Sequence, residues 1–327
     1  MKAAWFSEFG PADAVLKVSE QEDPRPGAGQ VLVRLRASGV NPSDVKKRAG
    51  SFPNLLDGGF VIPHSDGAGV IEAVGEGVGG DRVGERVWVY QAQYGRRFGT
   101  AAELVAVDDA RAPALPEEAT FEEGACLGIP VMTAHRCVFA DGPVKGQTIL
   151  VTGGAGRVGH YAIQLAHGAG ARVIATASND ADREACTDAG AVAVVNHRDE
   201  NWSEGVLEAT RGTPVDRVID VEFGANLSGV LKVLRTGGVI ATYSSMQVPE
   251  PQLPFYQMMF QDLTIRLVIV YAMPEEAKQQ AITDIERALR AQKLTHRVAH
   301  VVKMDEISRA HSLIEDGGFR GCVVVRP

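Results

Sequence analysis

Residues 148–166 read TILVTGGAGRVGHYAIQLA, and this stretch decides the fold of the middle of the chain. Gly154, Gly156 and Gly159 form G-x-G-x-x-G between an apolar, β-branched run and a segment with helical periodicity. A strand–loop–helix unit that must cradle a pyrophosphate needs that order. The spacing assigns the sharp turn to Gly154, close approach of the ligand to Gly156, and close helix–strand packing to Gly159. The first turn of the helix then offers free N–H groups and the positive end of its dipole to an anion.

Further βα units follow the loop, and the motif is specific only in their company. ARVIATAS, AVAVVN, DRVIDV and GVIATYS read as strands, separated by helical stretches at about residues 182–189, in WSEGVLEATRG and in NLSGVLKVLRTGG. Short apolar runs alternating with helices predict a parallel sheet covered on both faces. The second strand ends in Ala177-Ser178-Asn179, with no carboxylate at its tip to take a ribose 2′-hydroxyl. A 2′-phosphate instead finds donors in Ser178 and Asn179 and charge in Arg183 and Arg198, against nearby Asp180 and Asp182. NADPH is therefore favoured over NADH.

Before Pro116 the pattern differs. VLVRLRAS (31–38), AGVIEAVG (68–75) and ERVWVY (85–90) are short alternating or aromatic runs between turn residues, the signature of a small barrel or sandwich. A helix is expected to open at Pro116 with the acidic EEATFEEG behind it. Near Asp262 the rhythm changes again, to an apolar strand LTIRLVIVYA, an amphipathic helix in PEEAKQQAITDIERALRAQ, and a GCVVVRP tail.

Composition narrows the function classes. At 327 residues the chain is long enough for about two domains. A net charge of −8 argues against a surface made to grip nucleic acid or anionic lipid. Cys126, Cys137, Cys186 and Cys322 form no CxxC pair, so they read as reduced thiols of a cytoplasmic protein. No N-terminal apolar leader and no run of about 18 apolar residues is present.

Taken together, SGVNPSDVKKRAG (38–50), PHSDGAGVIEAVGEGV (63–78), GERVWVY (84–90), AGRVG (155–159) and GG..GCVVV (317–325) resemble the medium-chain dehydrogenase/reductase superfamily, and within it the zinc-free quinone oxidoreductases related to zeta-crystallin. The resemblance implies an α/β protein in which a doubly wound Rossmann sheet (residues 121–267) is inserted into a GroES-like β-barrel domain built from residues 1–120 and 268–327. It implies an active site in the cleft between them, holding NADPH. It carries Asn41 and Thr133 over as catalytic, cofactor-facing residues. Arg157 and Val158 of the loop, the His197-Arg198 pair, Tyr243, Ser244 and Arg320 are carried over as cofactor-side residues. Arg157 stands where relatives have a small residue, and either contacts phosphate or points to solvent. Phe52 replaces a tyrosine usual in relatives, Cys322 follows Gly321 where a lysine is common, and Glu222 is foreign to its position without an evident reason.

Zinc is not expected. The GVNPSD segment has no cysteine, His64 is followed by Ser65 where a Glu would stand, and Cys126 is displaced in ACLGIPVMTAH. One candidate ligand is short of the three that a catalytic zinc takes. Three functions remain open: quinone reduction by NADPH, reduction of α,β-unsaturated carbonyls by the same cofactor, and cofactor binding with little turnover. The strand at 263–272, left at a sheet edge, invites pairing with a second copy, so a C2 homodimer is expected.

Overall fold

The computed structural model describes residues 1–327. It divides into two compact units: Met1–Ile129 with Ile282–Gln292 and His296–Pro327, and Pro130–Ala281 with Lys293–Thr295.

The first, outer unit opens with β1 (Lys2–Trp5), α1 (Ala12–Val15) and β2 (Lys17–Glu20), the two strands pairing antiparallel. Its main sheet is organised by β3 (Gln30–Val40), followed by α2 (Pro42–Arg48), β4 (Asp66–Val74), β5 (Arg86–Val89) and β6 (Leu104–Asp108). Strand β3 pairs antiparallel with both β4 and β6. Alternation in VLVRL sends Val31, Val33 and Leu35 to one face, where they pack on Ile71, Val87, Val89, Val105 and Val107. Two register shifts along β3·β4 bend the sheet and curl it toward a barrel.

Helix α3 (Phe121–Gly124) is short, and it starts five residues beyond the expected Pro116. A capping box decides the start. The Glu123 N–H donates to Thr120 Oγ1 at 3.2 Å and the Thr120 N–H to Glu123 Oε2 at 2.8 Å. Ala125 and Cys126 then join Ala37, Cys322 and Val324 in an apolar cluster of the outer unit. That packing carries the boundary past residue 120 to Ile129.

The second, central unit contains α4 (Met132–Phe139), β7 (Thr148–Val151), α5 (Arg157–Gly168), β8 (Arg172–Thr176), α6 (Asp180–Asp188) and β9 (Ala191–Val195). It continues through α7 (Trp202–Ala209), β10 (Val215–Asp220), α8 (Phe223–Val233), β11 (Leu234–Thr242), α9 (Phe255–Phe260) and β12 (Thr264–Leu267). All five pairings are parallel, in the order β12-β11-β10-β7-β8-β9. The order reverses between β7 and β10, and ligands of open α/β sheets bind outside the carboxyl ends of strands at such a point.

The edge strand at 263–272 is shorter than its apolar sequence predicts. It pairs over Thr264–Leu267 and closes into a 3-10 turn at Val270–Ala272. Val268 still donates to Thr242 O at 2.7 Å, which keeps this segment with the central sheet. The second boundary accordingly falls inside α10 (Glu275–Arg290), at Ala281/Ile282, well beyond the expected residue 268. The outer unit is completed by β13 (Val298–Lys303), α11 (Ile307–Asp316) and β14 (Cys322–Arg326), with β14 pairing antiparallel to β3. No helix is long and apolar enough to cross a membrane.

Candidate active site

The loop from β7 to α5 places its glycines in different roles from those the spacing assigned. The backbone turn belongs to Gly153, at φ 60, a residue outside the G-x-G-x-x-G count. Gly154 is the packing residue. A Cβ there would lie within 2.9 Å of Cys186 Sγ, Ala175 Cβ and Ile163 Cδ1. Gly159 allows the helix to approach the loop itself, since its Cβ would sit 2.4 Å from Gly153 O. Gly156 is the N-cap of α5, and no side chain caps that terminus. The start of this twelve-residue helix is of the kind that attracts anions, through its N–H groups and the positive end of its dipole.

Beside the loop lies a cavity of about 550 Å³. Thr152 and Gly153 (after β7), Thr176 (β8), His197 and Arg198 (after β9), and Val221 and Glu222 (after β10) contribute its walls, along with Trp202, Ala225, Asn226 and Gln247. It therefore spans the carboxyl ends of four strands, across the switch point. Asp220, absent from the sequence-based expectations, ties these ends together. Its Oδ1 accepts from the Thr152 hydroxyl (2.6 Å), the Asn226 amide (2.8 Å) and the Glu222 N–H (3.2 Å). Burial pushes the Asp220 carboxyl up, opposed by those same hydrogen bonds.

Of the residues expected at the cofactor, His197 and Arg198 line this cavity. Several others are occupied elsewhere. The Arg183 guanidinium donates to Val194 O, so it anchors α6 to β9 and does not reach into the cavity. Asn179 is the N-cap of α6: its Oδ1 accepts the Asp182 N–H at 2.9 Å and its Nδ2 donates to Asp182 Oδ2 at 2.8 Å. Asp182 is in this way engaged by the cap. Ser178 is half-buried just before that cap. Arg157 and Val158 form the first turn of α5. Tyr243 and Ser244 follow β11; the Tyr243 N–H donates to Asp220 O at 3.3 Å, and burial pushes its phenol up. Arg320 lies in the outer unit, where its guanidinium donates to Phe319 O at 3.0 Å. Thr133 is buried on α4 of the central unit.

Asn41 belongs to the outer unit, at the N-cap of α2, and is held from two sides. Its backbone N–H donates to Asp44 Oδ2 at 2.9 Å, and its Nδ2 donates to Asp66 Oδ2 at 2.8 Å. Asp66 Oδ2 also accepts the Ile129 N–H at 2.8 Å. Burial raises the Asp66 carboxyl to about 8 and that of Asp44 to about 6. Lys47, buried beside them, donates to Gln93 Oε1 at 2.7 Å and Gln93 O at 3.0 Å, and burial lowers its pKa. The sequence singled out Asn41 alone. Of the partners that hold it, Asp66 lies 25 positions away and is itself held by Ile129, 63 positions further on, and no local motif announces either.

His64 is also committed. Proton counting fixes its tautomer. Thr100 Oγ1 donates to Asp66 O (2.6 Å), so the Ser38 hydroxyl must donate to Thr100 (2.8 Å) and accept from His64 Nδ1–H (2.8 Å). His64 Nε2 is then an acceptor, filled by His311 Nε2–H at 3.0 Å, and His311 Nδ1 has no partner. Burial lowers His64 to about 3 and His311 well below the usual histidine range. With both nitrogens spent and the ring fully buried, His64 has no lone pair to give a metal. The residues around it do not fit a zinc site.

Known proteins resemble the chain in sequence and in fold. The alcohol dehydrogenase GroES-like domain family matches residues 27–117, and the family described as zinc-binding dehydrogenase matches residues 158–287. Quinone oxidoreductase of Rattus norvegicus is 34% identical over 239 residues, covering 73% of this chain and 71% of the relative. Quinone oxidoreductase of Sus scrofa is 30% identical over 329 residues, 99% of this chain and 97% of the relative. A solved mycobacterial protein complexed with NADPH superposes with a TM-score of 0.87 at 28% identity, covering 100% of both chains. In sequence and in fold, then, the chain belongs to the quinone oxidoreductase family of the medium-chain dehydrogenase/reductase superfamily.

Proposed function

We propose that the protein is an NADPH-dependent oxidoreductase that reduces quinones without zinc. One observation carries the reading: an uncapped helix N-terminus and a glycine cradle open on a cavity walled by His197 and Arg198, and β8 ends in Thr176 with no carboxylate at its tip. The Thr176 hydroxyl is already used, accepting the Gly153 N–H at 3.0 Å. The NADPH complex of the mycobacterial relative and the names of the mammalian relatives point the same way.

Bound NADPH supplies a hydride, and with one proton the quinone becomes a hydroquinone. The chain binds the pyrophosphate through the loop and the N–H groups of α5. It holds the 2′-phosphate with Arg198 and His197, the sheet edge at Tyr243 and Ser244 lying along the cofactor. Asn41, fixed by Asp44 and Asp66, presents its remaining amide valences to the nicotinamide or to the acceptor, and Thr133 serves from the central unit. The committed ring nitrogens of His64 support the zinc-independent reading.

The subunits pair through the free edge of β12 and the residues just after it, where Leu267 is 75% and Ile269 57% exposed. A molecular mass of one chain in solution would contradict that pairing.

The test is steady-state oxidation of NADPH and of NADH with a quinone panel and an enone panel, with and without chelator. Turnover of quinones with NADPH, insensitive to chelator, is the expected result. Turnover of enones alone replaces the substrate assignment. Tight NADPH binding with no turnover on either panel makes the protein a non-catalytic cofactor binder.

A further inference from the structure

Glu222 is the N-cap residue of α8, yet its side chain makes no cap on its own helix. It reaches across to the segment after β11 instead. Glu222 Oε2 accepts the Met246 N–H at 2.9 Å and Oε1 accepts the Gln247 N–H at 3.0 Å. The same segment satisfies the first N–H groups of α8 in return: Phe223 N–H donates to Ser244 O at 3.0 Å and Gly224 N–H to Ser245 Oγ at 2.9 Å. The Ser245 hydroxyl then donates onward to Val248 O at 2.5 Å. Four hydrogen bonds thus tie residues 244–247 across the start of α8, two of them to one carboxylate. Only glycine at 224 lets the strap come so near, because a Cβ would lie 2.3 Å from Val248 O.

The strap itself is irregular and open to solvent. Residues 245–248 belong to no strand or helix, and Met246 is 60% exposed. Both ends of the latch nevertheless face the cofactor cavity, since Glu222 and Gln247 are among its walls. An exposed segment of this kind samples many backbone states unless pinned. A ligand that docks against it then binds only the fraction of molecules with the strap in place, and its apparent Kd rises in inverse proportion to that fraction.

We propose that Glu222 is a positioning residue for the cofactor: by holding two consecutive backbone N–H groups of the strap, it keeps that wall of the cavity in place before NADPH arrives. The carboxylate is chemically suited to this task. It has two acceptor oxygens and no donor, so it can take two parallel N–H groups, which the carboxamide of glutamine cannot. The inference rests on the assignment of the cavity to NADPH.

Amide hydrogen exchange of the apo protein and NADPH titration, on wild type, Glu222→Ala and Glu222→Gln, form the test, with Gly224→Ala as an independent route to the same displacement. Exchange at Met246 and Gln247 accelerates in all three variants, while β10 and β11 keep their protection. The Kd for NADPH rises about tenfold, and the larger part of the kinetic loss falls on KM for NADPH. Unchanged exchange at Met246 and Gln247 in both Glu222 variants overturns the latch. Faster exchange with an unaltered Kd overturns its role in binding. If the wild-type protein itself fails to bind NADPH, the cofactor assignment falls and the positioning role with it, whereas the exchange data on apo protein stand apart from that outcome.

Discussion

The cofactor cavity and the surroundings of Asn41 are built by opposite means. Around the glycine loop the backbone does most of the work: an uncapped helix end, glycines where a Cβ would collide, and strand termini tied to one another by Asp220. Around Asn41 side chains do it: Asp44, Asp66, Lys47, Gln93, Ser38, Thr100, His64 and His311 are joined by buried hydrogen bonds. The first region presents backbone and a cavity to the ligand proposed for it. The second is nearly satisfied already, and its residual cost is electrostatic, because it buries ionisable groups. The two should therefore fail differently. Acid and alkali damage the second, and a single added methyl group damages the first.

The effect with the widest reach, because several buried groups add to it, is expected in stability against pH. Burial lowers His64 to about 3, His296 of the outer unit to about 4, and His311 well below the ordinary histidine range, so on unfolding below about 6.5 each takes up a proton. Their folded pKa values lie below the unfolded ones, so their contribution is present above pH 6.5 and is lost as the pH falls. Asp66 at about 8 and Asp44 at about 6 are raised, so their contribution is full below pH 3.8 and is lost as the pH rises. Between pH 4 and 6 His64 and His296 balance the two aspartates, and the lowered His311 tips the sum toward loss on the acid side. From 6 to 6.5 the histidines outweigh Asp66, and above 6.5 Asp66 sets the fall. Stability therefore peaks near 6.5 and declines on both sides, by about 2 kcal/mol at pH 8 at roughly 1.4 kcal/mol per group and pH unit. Urea titrations at constant ionic strength measure the curve. A plateau from 5 to 9 would mean that these groups are not buried as described.

The largest effect of a single substitution is expected for Gly159→Val. The Cβ would meet Gly153 O, a backbone atom with no room to give. The loop has to shift, and the Kd for NADPH is expected to rise about a hundredfold, close to 3 kcal/mol, by isothermal titration calorimetry. The pH profile of stability should keep its maximum, since no residue of the buried cluster is touched. A variant that loses the maximum along with the affinity would show that the two regions are not separable.

These two regions also differed in how far the sequence revealed them. TILVTGGAGRVG carries strand, turn and helix start in one contiguous run, so the parallel sheet and the loop were legible from period and glycine spacing. Even there the roles were misassigned, because which of two adjacent glycines takes the positive φ depends on what each Cβ would strike in three dimensions. The network from Asp66 to His311 joins residues scattered over nearly the whole chain. It has no period and no spacing, and Asp66 drew no notice in HSDGAG. Glu222 was visible as an oddity only. Its two partners are backbone N–H groups, to which sequence is blind.

The smallest predicted effect separates two arginines that the sequence could not rank. Arg183 and Arg198 both follow the carboxyl edge of the sheet by a few residues, and either would serve as the charge for a 2′-phosphate. In the fold Arg183 donates to Val194 O, while Arg198 stands in the cavity wall beside His197. An exposed arginine facing a phosphate gives a charge-assisted pair that NADH cannot use, and the loss of one such contact is worth roughly 1.5 kcal/mol. Arg198→Gln should therefore cut the preference for NADPH over NADH about tenfold, by raising the Kd for NADPH and leaving that for NADH nearly as it was. Arg183→Gln should change neither Kd by as much as about twofold, since its partner is a carbonyl at the surface of β9. Paired titrations of the two cofactors on both variants decide the matter. Equal losses from the two substitutions would place the phosphate between α6 and β9, not in the cavity, and a loss confined to Arg183→Gln would move it to the tip of β8, where Ser178 and Asn179 were first expected to bind it.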